Sequence, residues 1–315
     1  MSSPPQVAAG RRPLVAVLTY RRHDELRLLL PVLQAQCRAA VPPWDILVVD
    51  NDPEAGAREV VVEKQGVTYV HEPRPGIASA RNRALAEAEG APLLVFLDDD
   101  ERPCDGWLAS LLHTHATTGA TGVVGPVLSE FVAPVGRWVV EGRVFDRRRL
   151  TTGDHVQVAA TNNLLLDLVQ VRALGLSFDE RFGLTGGSDT LFTRQLVTRG
   201  GTIVWCNEAL VVDLVPPNRA TRTWVLRRAR RSGNTWARTS LLMAPGPTSA
   251  LVVRLRLVGA GAARVVGGGL RVVHGLLTRS LGRCAQGERA IARGWGMLTG
   301  AIGMAHIEYG RPKPE

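Results

Sequence analysis

Cysteine is scarce in this 315-residue chain and lysine scarcer still. The four cysteines, Cys37, Cys104, Cys206 and Cys284, are widely scattered, with no CxxC pair and no Cys/His spacing of a metal centre. That pattern excludes a thiolate zinc site and leaves reduced, mostly buried thiols. Lys64 and Lys313 are the only lysines, so almost every positive charge is an arginine. The first apolar segment is followed by Thr19-Tyr20-Arg21-Arg22, without the GxGxxG of a dinucleotide-binding turn, and there is no Walker A loop anywhere. Phosphates, if the protein binds them, need a metal and arginines instead. No apolar run is long enough to span a bilayer. The first dozen residues are small, Pro-containing and basic; they lack the apolar core of a signal peptide and read as a disordered start.

What is present is a core-forming composition and an uneven charge. Hydrophobic residues make up 45% of the chain, enough for one large α/β domain or two smaller ones. The net charge is +9, yet from Arg219 onward there are 17 basic residues against three acids, Glu288, Glu308 and Glu315. Residues 1–218 are slightly acidic, so the basic excess belongs to the tail.

One stretch organises the rest: Leu93-Leu94-Val95-Phe96-Leu97 running into Asp98-Asp99-Asp100-Glu101. The apolar run is that of a strand buried on both faces, as in a parallel sheet covered by helices. The acids then sit at its carboxyl end, where open α/β sheets place ligands. Adjacent carboxylates repel one another and call for a cation or a polar substrate. Hard oxygen ligands suit Mg²⁺ or Mn²⁺ shared with a substrate phosphate. A solvated acidic turn is the alternative, and the buried strand before it favours the metal–diphosphate reading.

Strands are expected at 13–19, 46–49 and 67–70, alternating with helices at 23–37, 54–64 and 77–89 before the central strand. This alternation implies an α/β fold with a doubly wound, mostly parallel sheet. A helix follows at 107–115, a strand at 122–128, an irregular stretch at 130–154 read as a loop over the site, a strand at 156–166, a helix from 188 to 199 and the last strands within 202–215. Asp50, at the end of the second strand, serves either as a loop cap or as an acceptor for a base or ribose. Thr19 and Tyr20 can line the same pocket, Tyr20 by stacking on a base. Arg81, one turn into its helix, either faces a diphosphate or is solvated. Asn162 and Asn163, unusual inside a strand, contact a sugar hydroxyl or mark a bulge. Ser188 can cap the helix it opens, and Asp189 in the first turn is favoured by the helix dipole and equally well placed as a general base. Arg227, Arg228 and Arg231 can clamp a diphosphate or lipid heads. Beyond Arg238, apolar blocks alternate with single arginines, the pattern of basic amphipathic helices in a membrane interface. Gly267-Gly268-Gly269 reads as a flexible spot. With one Trp (Trp295) and little aromatic interleaving in this tail, no nucleic-acid partner is expected.

Five of these stretches, taken together, resemble glycosyltransferase family 2, inverting enzymes of the GT-A fold, and within it the bacterial exopolysaccharide transferases of the succinoglycan type. They are Val48-Val49-Asp50-Asn51-Asp52, Glu72-Pro73-Arg74-Pro75-Gly76-Ile77-Ala78-Ser79-Ala80-Arg81-Asn82, Phe96-Leu97-Asp98-Asp99-Asp100-Glu101, Phe178-Asp179-Glu180-Arg181-Phe182-Gly183 and Thr185-Gly186-Gly187-Ser188-Asp189-Thr190. The resemblance implies a GT-A domain over 13–238, with a nucleotide-binding half (13–101) and an acceptor half (102–238); the amphipathic pattern beyond it makes 239–315 a membrane-associated tail. It implies that Thr19, Tyr20 and Asp50 hold the nucleoside and that Arg81 lies near the ribose and diphosphate. Asp98 and Asp100 would form the DxD-type motif, Asp98 toward the ribose and both at the metal, with Asp99 among the nucleotide-sugar contacts. Asp189 would be the catalytic base, and Arg227, Arg228 and Arg231 would lie near the departing diphosphate or the acceptor. The implied partners are a nucleotide sugar, a UDP-sugar foremost, a lipid-linked or glycan acceptor, and an anionic membrane at the inner, cytoplasmic face. Two departures stand out. Ser188 precedes Asp189 where the family usually has Glu, and Leu214 follows Asp213 where relatives often have His. A nucleotidyltransferase and a non-catalytic nucleotide-sugar-binding or scaffold protein are the rival readings; the first usually carries a Gly- and Lys-rich loop, which Thr19-Tyr20-Arg21-Arg22 is not.

Overall fold

The structure is a computed structural model and describes residues 11–305. Residues 1–10, most of the expected disordered start, and the end of the tail from 306 lie outside the described residues. Contacts divide the chain into two interleaved units. The first holds the described part of Met1–Val127 with Arg149–Glu180 and Phe192–Val212; the second holds Leu128–Arg148, Arg181–Leu191 and the described part of Asp213–Glu315.

The chain begins with β1 (Leu14–Thr19), α1 (His23–Ala39), β2 (Asp45–Asp50), α2 (Arg58–Val61), β3 (Val67–His71), α3 (Ile77–Glu87), β4 (Leu93–Asp98), β5 (Glu101–Pro103), α4 (Trp107–Thr118) and β6 (Gly122–Val124). Then come β7 (Val127–Phe131), α5 (Arg137–Gly142), β8 (Asn163–Asp167), α6 (Leu168–Ala173), α7 (Ser188–Thr198), β9 (Ile203–Trp205) and β10 (Val211–Val215). Three long helices follow, α8 (Arg222–Leu242), α9 (Pro247–Leu277) and α10 (Leu281–Ala301).

The first unit is built on a seven-stranded sheet of order β3-β2-β1-β4-β8-β6-β9. Its strands pair in parallel except β8, which runs against both β4 and β6. Alternate strand residues feed two cores. Val15, Val17, Val48, Val95 and Leu97 meet Leu26, Leu30 and Leu33 of α1 and Trp107 and Leu111 of α4 on one face. Ala16, Leu47, Phe96 and Leu164 meet Ala80 and Ala84 of α3, Val171 of α6 and Phe192 of α7 on the other. Side chains that alternate across a pleat and are apolar on both faces require this double cover. The expected α/β, doubly wound, mostly parallel sheet is therefore present.

Several expected elements change shape for local reasons. The strand expected at 122–128 breaks into β6 and β7 at Gly125-Pro126. Proline has no N–H for a ladder, and a Cβ on Gly125 would lie 2.5 Å from Asn163 Nδ2 and on top of the Ala209 carbonyl. The strand expected at 156–166 is ordered as a strand only from Asn163. The helix expected at 54–64 shrinks to the single turn α2. Inside the expected loop at 130–154, α5 buries Val139 and Gly142, and Gly142 lies against Ala285 of α10.

The second unit packs differently. In α9, Leu257, Gly261, Gly268 and Gly275 form the buried line, and the three glycines recur every seven residues. Opposite them on α10 stand Gly294, Gly287 and Cys284; a Cβ on Gly268 would meet the Gly287 carbonyl at 2.7 Å. Gly267-Gly268-Gly269 is thus helix interior, and Gly268 is there because the two backbones nearly touch. On its other side α10 turns Gly296 and Gly300 to α8, against Arg230 and Asn234. With small residues inside, the apolar ones remain outside: Leu251, Leu255, Val258, Val266, Leu270 and Leu277 of α9 are all exposed. The amphipathic basic helices expected for the tail are present, and among the described residues no helix is long and apolar enough to cross a membrane.

Two glycine substitutions separate packing from flexibility. Gly287→Val should lower stability by about 1–3 kcal/mol, because the added methyls meet the Gly268 carbonyl. Gly267→Ala, with open space at its Cβ, should raise it by roughly 0.5–1 kcal/mol. Thermal unfolding followed by circular dichroism reads both; a stable Gly287→Val would refute the close contact.

Candidate active site

The register of the parallel strands gathers the acids. Thr19 pairs with Asp50 across β1 and β2, and Leu18 pairs with Asp98 across β1 and β4. Thr19, Asp50 and Asp98 thus end three adjacent strands at their common carboxyl edge. At that edge Arg22 organises the acidic run. Its Nη1 lies 2.7 Å from Asp99 Oδ1 and 2.8 Å from Asp100 Oδ2. The Thr19 hydroxyl donates to the other Asp99 oxygen at 2.8 Å. Burial alone would lower the Arg22 pKa, but the charges of Asp99 and Asp100 outweigh it and hold the guanidinium above its usual range. Asp99 is raised by burial against the pull of Arg22. Asp98 has no such clamp. Burial, then the charge of Asp100, pushes its carboxyl up to about 7, with Arg81 and Arg22 pulling the other way.

Arg81 is buried in α3, with its guanidinium 5.5 Å from the centre of the Phe178 ring. The solvated alternative for Arg81 is excluded, since its charge is held inside and reaches Asp98. Tyr20 is 37% exposed, at the end of β1, with Arg21 lying 5.5 Å from its ring centre. Arg21 has φ of 55°, a left-handed conformation unusual for a residue with a side chain, and it donates to Asp52 at 3.1 Å.

Asp50 and the asparagines are committed inside the fold. Asp50 is fully buried; it accepts from the Asp52 and Ala57 amides at 2.9 Å and from the Tyr69 hydroxyl at 3.0 Å. That geometry is the loop-cap role, and a direct hydrogen bond from Asp50 to a base would have to displace one of these donors. Burial, followed by the charge of Asp50, pushes the Tyr69 hydroxyl up to about 12, so it remains a donor. Asn51 ties the next loop by donating to the Glu72 and Arg74 carbonyls at 2.7 Å and accepting from the Gly76 amide at 3.2 Å. Asn163 is fully buried, accepts from Trp107 Nε1 at 2.8 Å and donates to the Ala209 and Pro126 carbonyls. It is a clamp between strands, and the sugar-hydroxyl role considered for it is corrected. Asn162 donates to Glu101.

In the second unit Gly186 and Gly187 take φ of 74° and 101°, which turns the chain into α7. The space a Gly187 side chain would need is filled by Thr235 of α8. Ser188 is fully buried as the first helical residue, and Asp189 follows in the first turn, its Oδ1 accepting from the Thr190 amide at 2.7 Å. On α8, Arg228 and Arg231 precede Thr235 by seven and four residues and flank the same face. Arg227 turns to a different wall, a cavity it shares with Leu226, Arg230 and Trp295. The three arginines expected together are therefore divided, because successive residues on a helix point about 100° apart.

Among the described residues no three His, Cys, Asp or Glu side chains are grouped so as to enclose a metal by themselves. That donor set fits Mg²⁺ or Mn²⁺ rather than zinc, since these ions are usually held by one or two carboxylates with water and substrate phosphate. Asp98 and Asp100 could serve as such a pair; burial, followed by the charge of Asp100, raises the Asp98 carboxyl.

Residues 14–167 match the family profile for Glycosyl transferase family 2. The succinoglycan biosynthesis protein ExoM of Rhizobium meliloti (strain 1021) is 36% identical over 229 residues, which cover 71% of this chain and 74% of that protein. The chain belongs to glycosyltransferase family 2. Glycosyltransferase AglE of Haloferax volcanii is 25% identical over 209 residues, 63% of this chain and 66% of that protein. The structure of mannosyltransferase PcManGT from Pyrobaculum calidifontis, in complex with GDP-Man and Mn²⁺, covers 93% of this chain and 91% of its own at a TM-score of 0.55 and 18% identity. GalNAc-T7 with UDP, GalNAc and Mn²⁺ covers 77% of this chain and 53% of its own at a TM-score of 0.52 and 15% identity. The fold of the family 2 domain is thus GT-A, and the resemblance to succinoglycan-type transferases holds.

The Arg22 clamp was not singled out from sequence, although an arginine three residues past β1 and an acidic run at the end of β4 were both visible. Asn163 yields the sharpest test. Asn163→Leu strands the Trp107 donor and two carbonyls and should cost roughly 3 kcal/mol in chemical denaturation. An unchanged midpoint would return Asn163 to the list of ligand contacts.

Proposed function

We propose that this glycosyltransferase is a metal-assisted, inverting hexosyltransferase. It moves a hexose from a UDP-sugar to a lipid-linked or glycan acceptor in exopolysaccharide or cell-wall assembly, at the cytoplasmic face of the membrane. The observation that carries the reading is the carboxyl edge of β1, β2 and β4, where Thr19, Asp98, Asp99 and Asp100 converge around Arg22. The similarity to the succinoglycan protein ExoM and the Mn²⁺ complexes of the two similar structures support it.

In this reading the donor half, 13–101, holds the nucleotide. Tyr20 lies at the pocket rim and stacks on the base, Thr19 lines the floor, and Asp50 acts by fixing the loop rather than by direct contact. Arg81 offers positive charge toward the ribose and diphosphate. Asp98 faces the ribose, and Asp100 with Asp98 would hold Mg²⁺ or Mn²⁺, which when bound supplies charge to the leaving diphosphate. Asp99, locked by Thr19 and Arg22, positions its neighbours.

The acceptor half runs from 102 to 238, and its base is Asp189. A carboxylate at the start of a rigid helix is well held for proton abstraction. It takes the proton of the acceptor hydroxyl. That oxygen forms the new bond to the anomeric carbon while the bond to the nucleoside diphosphate breaks with its electron pair. One displacement inverts the carbon, and no nucleophilic Ser or Cys is needed. Arg228 and Arg231, on the α8 face that packs against Gly187, meet the departing diphosphate or the acceptor; Arg227, turned to another wall, is the weakest member of the set.

The tail from 239 lies on the membrane. Two features support this: the exposed leucine and valine line of α9, and the complete lack of acids in that helix, which carries four arginines.

Calorimetric titration of the full chain with UDP, GDP and dTDP, with and without Mn²⁺, tests the donor site. Mn²⁺-dependent binding of UDP is expected, and Asp100→Asn should abolish the metal dependence; a folded sample that binds no nucleotide removes the transferase reading of the site. Asp189→Asn should retain nucleotide binding and lose at least about 100-fold in turnover, whereas unchanged turnover would point to the scaffold alternative. Replacing exposed Leu255, Val266 and Leu270 by Asp should abolish co-flotation with anionic vesicles at unchanged thermal stability. Persistent flotation would sink the interface assignment.

A further inference from the structure

The second unit contains a cavity of about 270 Å³ whose walls, Arg228 apart, have no part in the reaction above. One face of α8 supplies Val225, Ala229 and Ser232, the segment after α5 supplies Phe145, Arg147 and the one lining acid, Asp146, and α10 supplies Arg289 and Arg293 one turn apart. Beside the arginines lies an aromatic plate. The Phe145 and Trp224 rings stack with centres 5.9 Å apart and planes within 6°, and Arg228 lies 5.1 Å from the Trp224 ring centre.

The charge around this cavity does not balance. Each carboxylate near it is already engaged: Asp146 with Arg143 at 2.5 Å, Asp213 with Arg147 at 2.6 Å and Glu288 with Arg222 at 2.7 Å. Glu288 is the only acid in residues 214–305. Arg289 and Arg293 therefore have no carboxylate partner among the described residues. Burial, then the like charges of Arg264 and Arg289, lowers the pKa of Arg293. Like-charged guanidiniums that feel one another beside an aromatic wall are relieved by an anion, and planar forks suit phosphate oxygens.

We infer that this cavity binds the phosphate or diphosphate head of an amphipathic ester, with Arg289 and Arg293 on the phosphate oxygens, the Ser232 hydroxyl as a further donor, and the carbon chain along Phe145 and Trp224. The lipid carrier of the acceptor is the source we commit to, and that choice rests on the lipid-linked acceptor proposed above. A free diphosphate is the rival source. It would use the arginines and leave the aromatic plate idle.

Calorimetry on the full chain, without nucleotide, separates the sources. The probes are farnesyl diphosphate, inorganic diphosphate and farnesol. We expect farnesyl diphosphate to bind at least ten-fold more tightly than inorganic diphosphate and farnesol not to bind. Arg289→Gln with Arg293→Gln, both on exposed positions, should weaken farnesyl diphosphate at least ten-fold and leave UDP affinity unchanged. Equal affinity for the two diphosphates overturns the lipid source. Undiminished farnesyl diphosphate binding by the double variant overturns the site. Should that variant not fold, Arg289→Gln alone and a Trp224→Leu chain are read by the same criteria. Failure of the wild-type protein to bind UDP would count against the donor reading and not against this cavity, because the two titrations are independent.

Discussion

Everything at the carboxyl edge of the sheet follows from crowding four acids behind one buried strand. Leu94 to Leu97 bury so completely that the chain cannot carry Asp98 and Asp99 away into solvent. Their mutual repulsion must then be met locally. Arg22 meets part of it by reaching Asp99 and Asp100 together, and the Thr19 hydroxyl takes the remaining Asp99 oxygen. Asp98 is left outside this clamp, and burial followed by the charge of Asp100 pushes its carboxyl up. The neighbouring loops are held by Asp50 and Asn51 through bonds within the fold.

The two units solve the burial problem in opposite ways. The first alternates large apolar side chains to both faces of a sheet and covers them with helices. The second brings helix backbones together over glycines and leaves many of its leucines and valines facing out. Apolar residues facing out over a whole helix mean a surface that water disfavours. The same unit carries the arginine excess of the chain.

Much of this was legible in the amino-acid order, and what was missed has physical causes. Continuous apolar runs alternating with helical spacing exposed the parallel sheet, and the acids after β4 marked the carboxyl edge that Arg22 organises. The break at Gly125-Pro126 was hidden, because it depends on the Ala209 carbonyl more than eighty residues away. Asn163 looked like a ligand contact because its partners, Trp107, Pro126 and Ala209, are remote in sequence. Gly267-Gly268-Gly269 read as slack because glycine permits flexibility and close approach alike, and only the facing Gly287 tells which applies. The helix α5 hid in a polar stretch because its burial is supplied by α10. Local pattern reveals which face is apolar; it does not reveal which distant backbone will come to rest there.

The seven-residue glycine line between α9 and α10 has a consequence for the medium in which the pair holds together. The glycines themselves bury almost no apolar area, so at their backbone contacts, flanked by Val265, Val272, Ile291 and Leu298, the cohesion does not come from expelling water. It comes from dispersion and dipolar contact between backbones at short range, terms that survive transfer into hydrocarbon. Those contacts depend less on the polarity of the medium than a purely leucine-cored seam would.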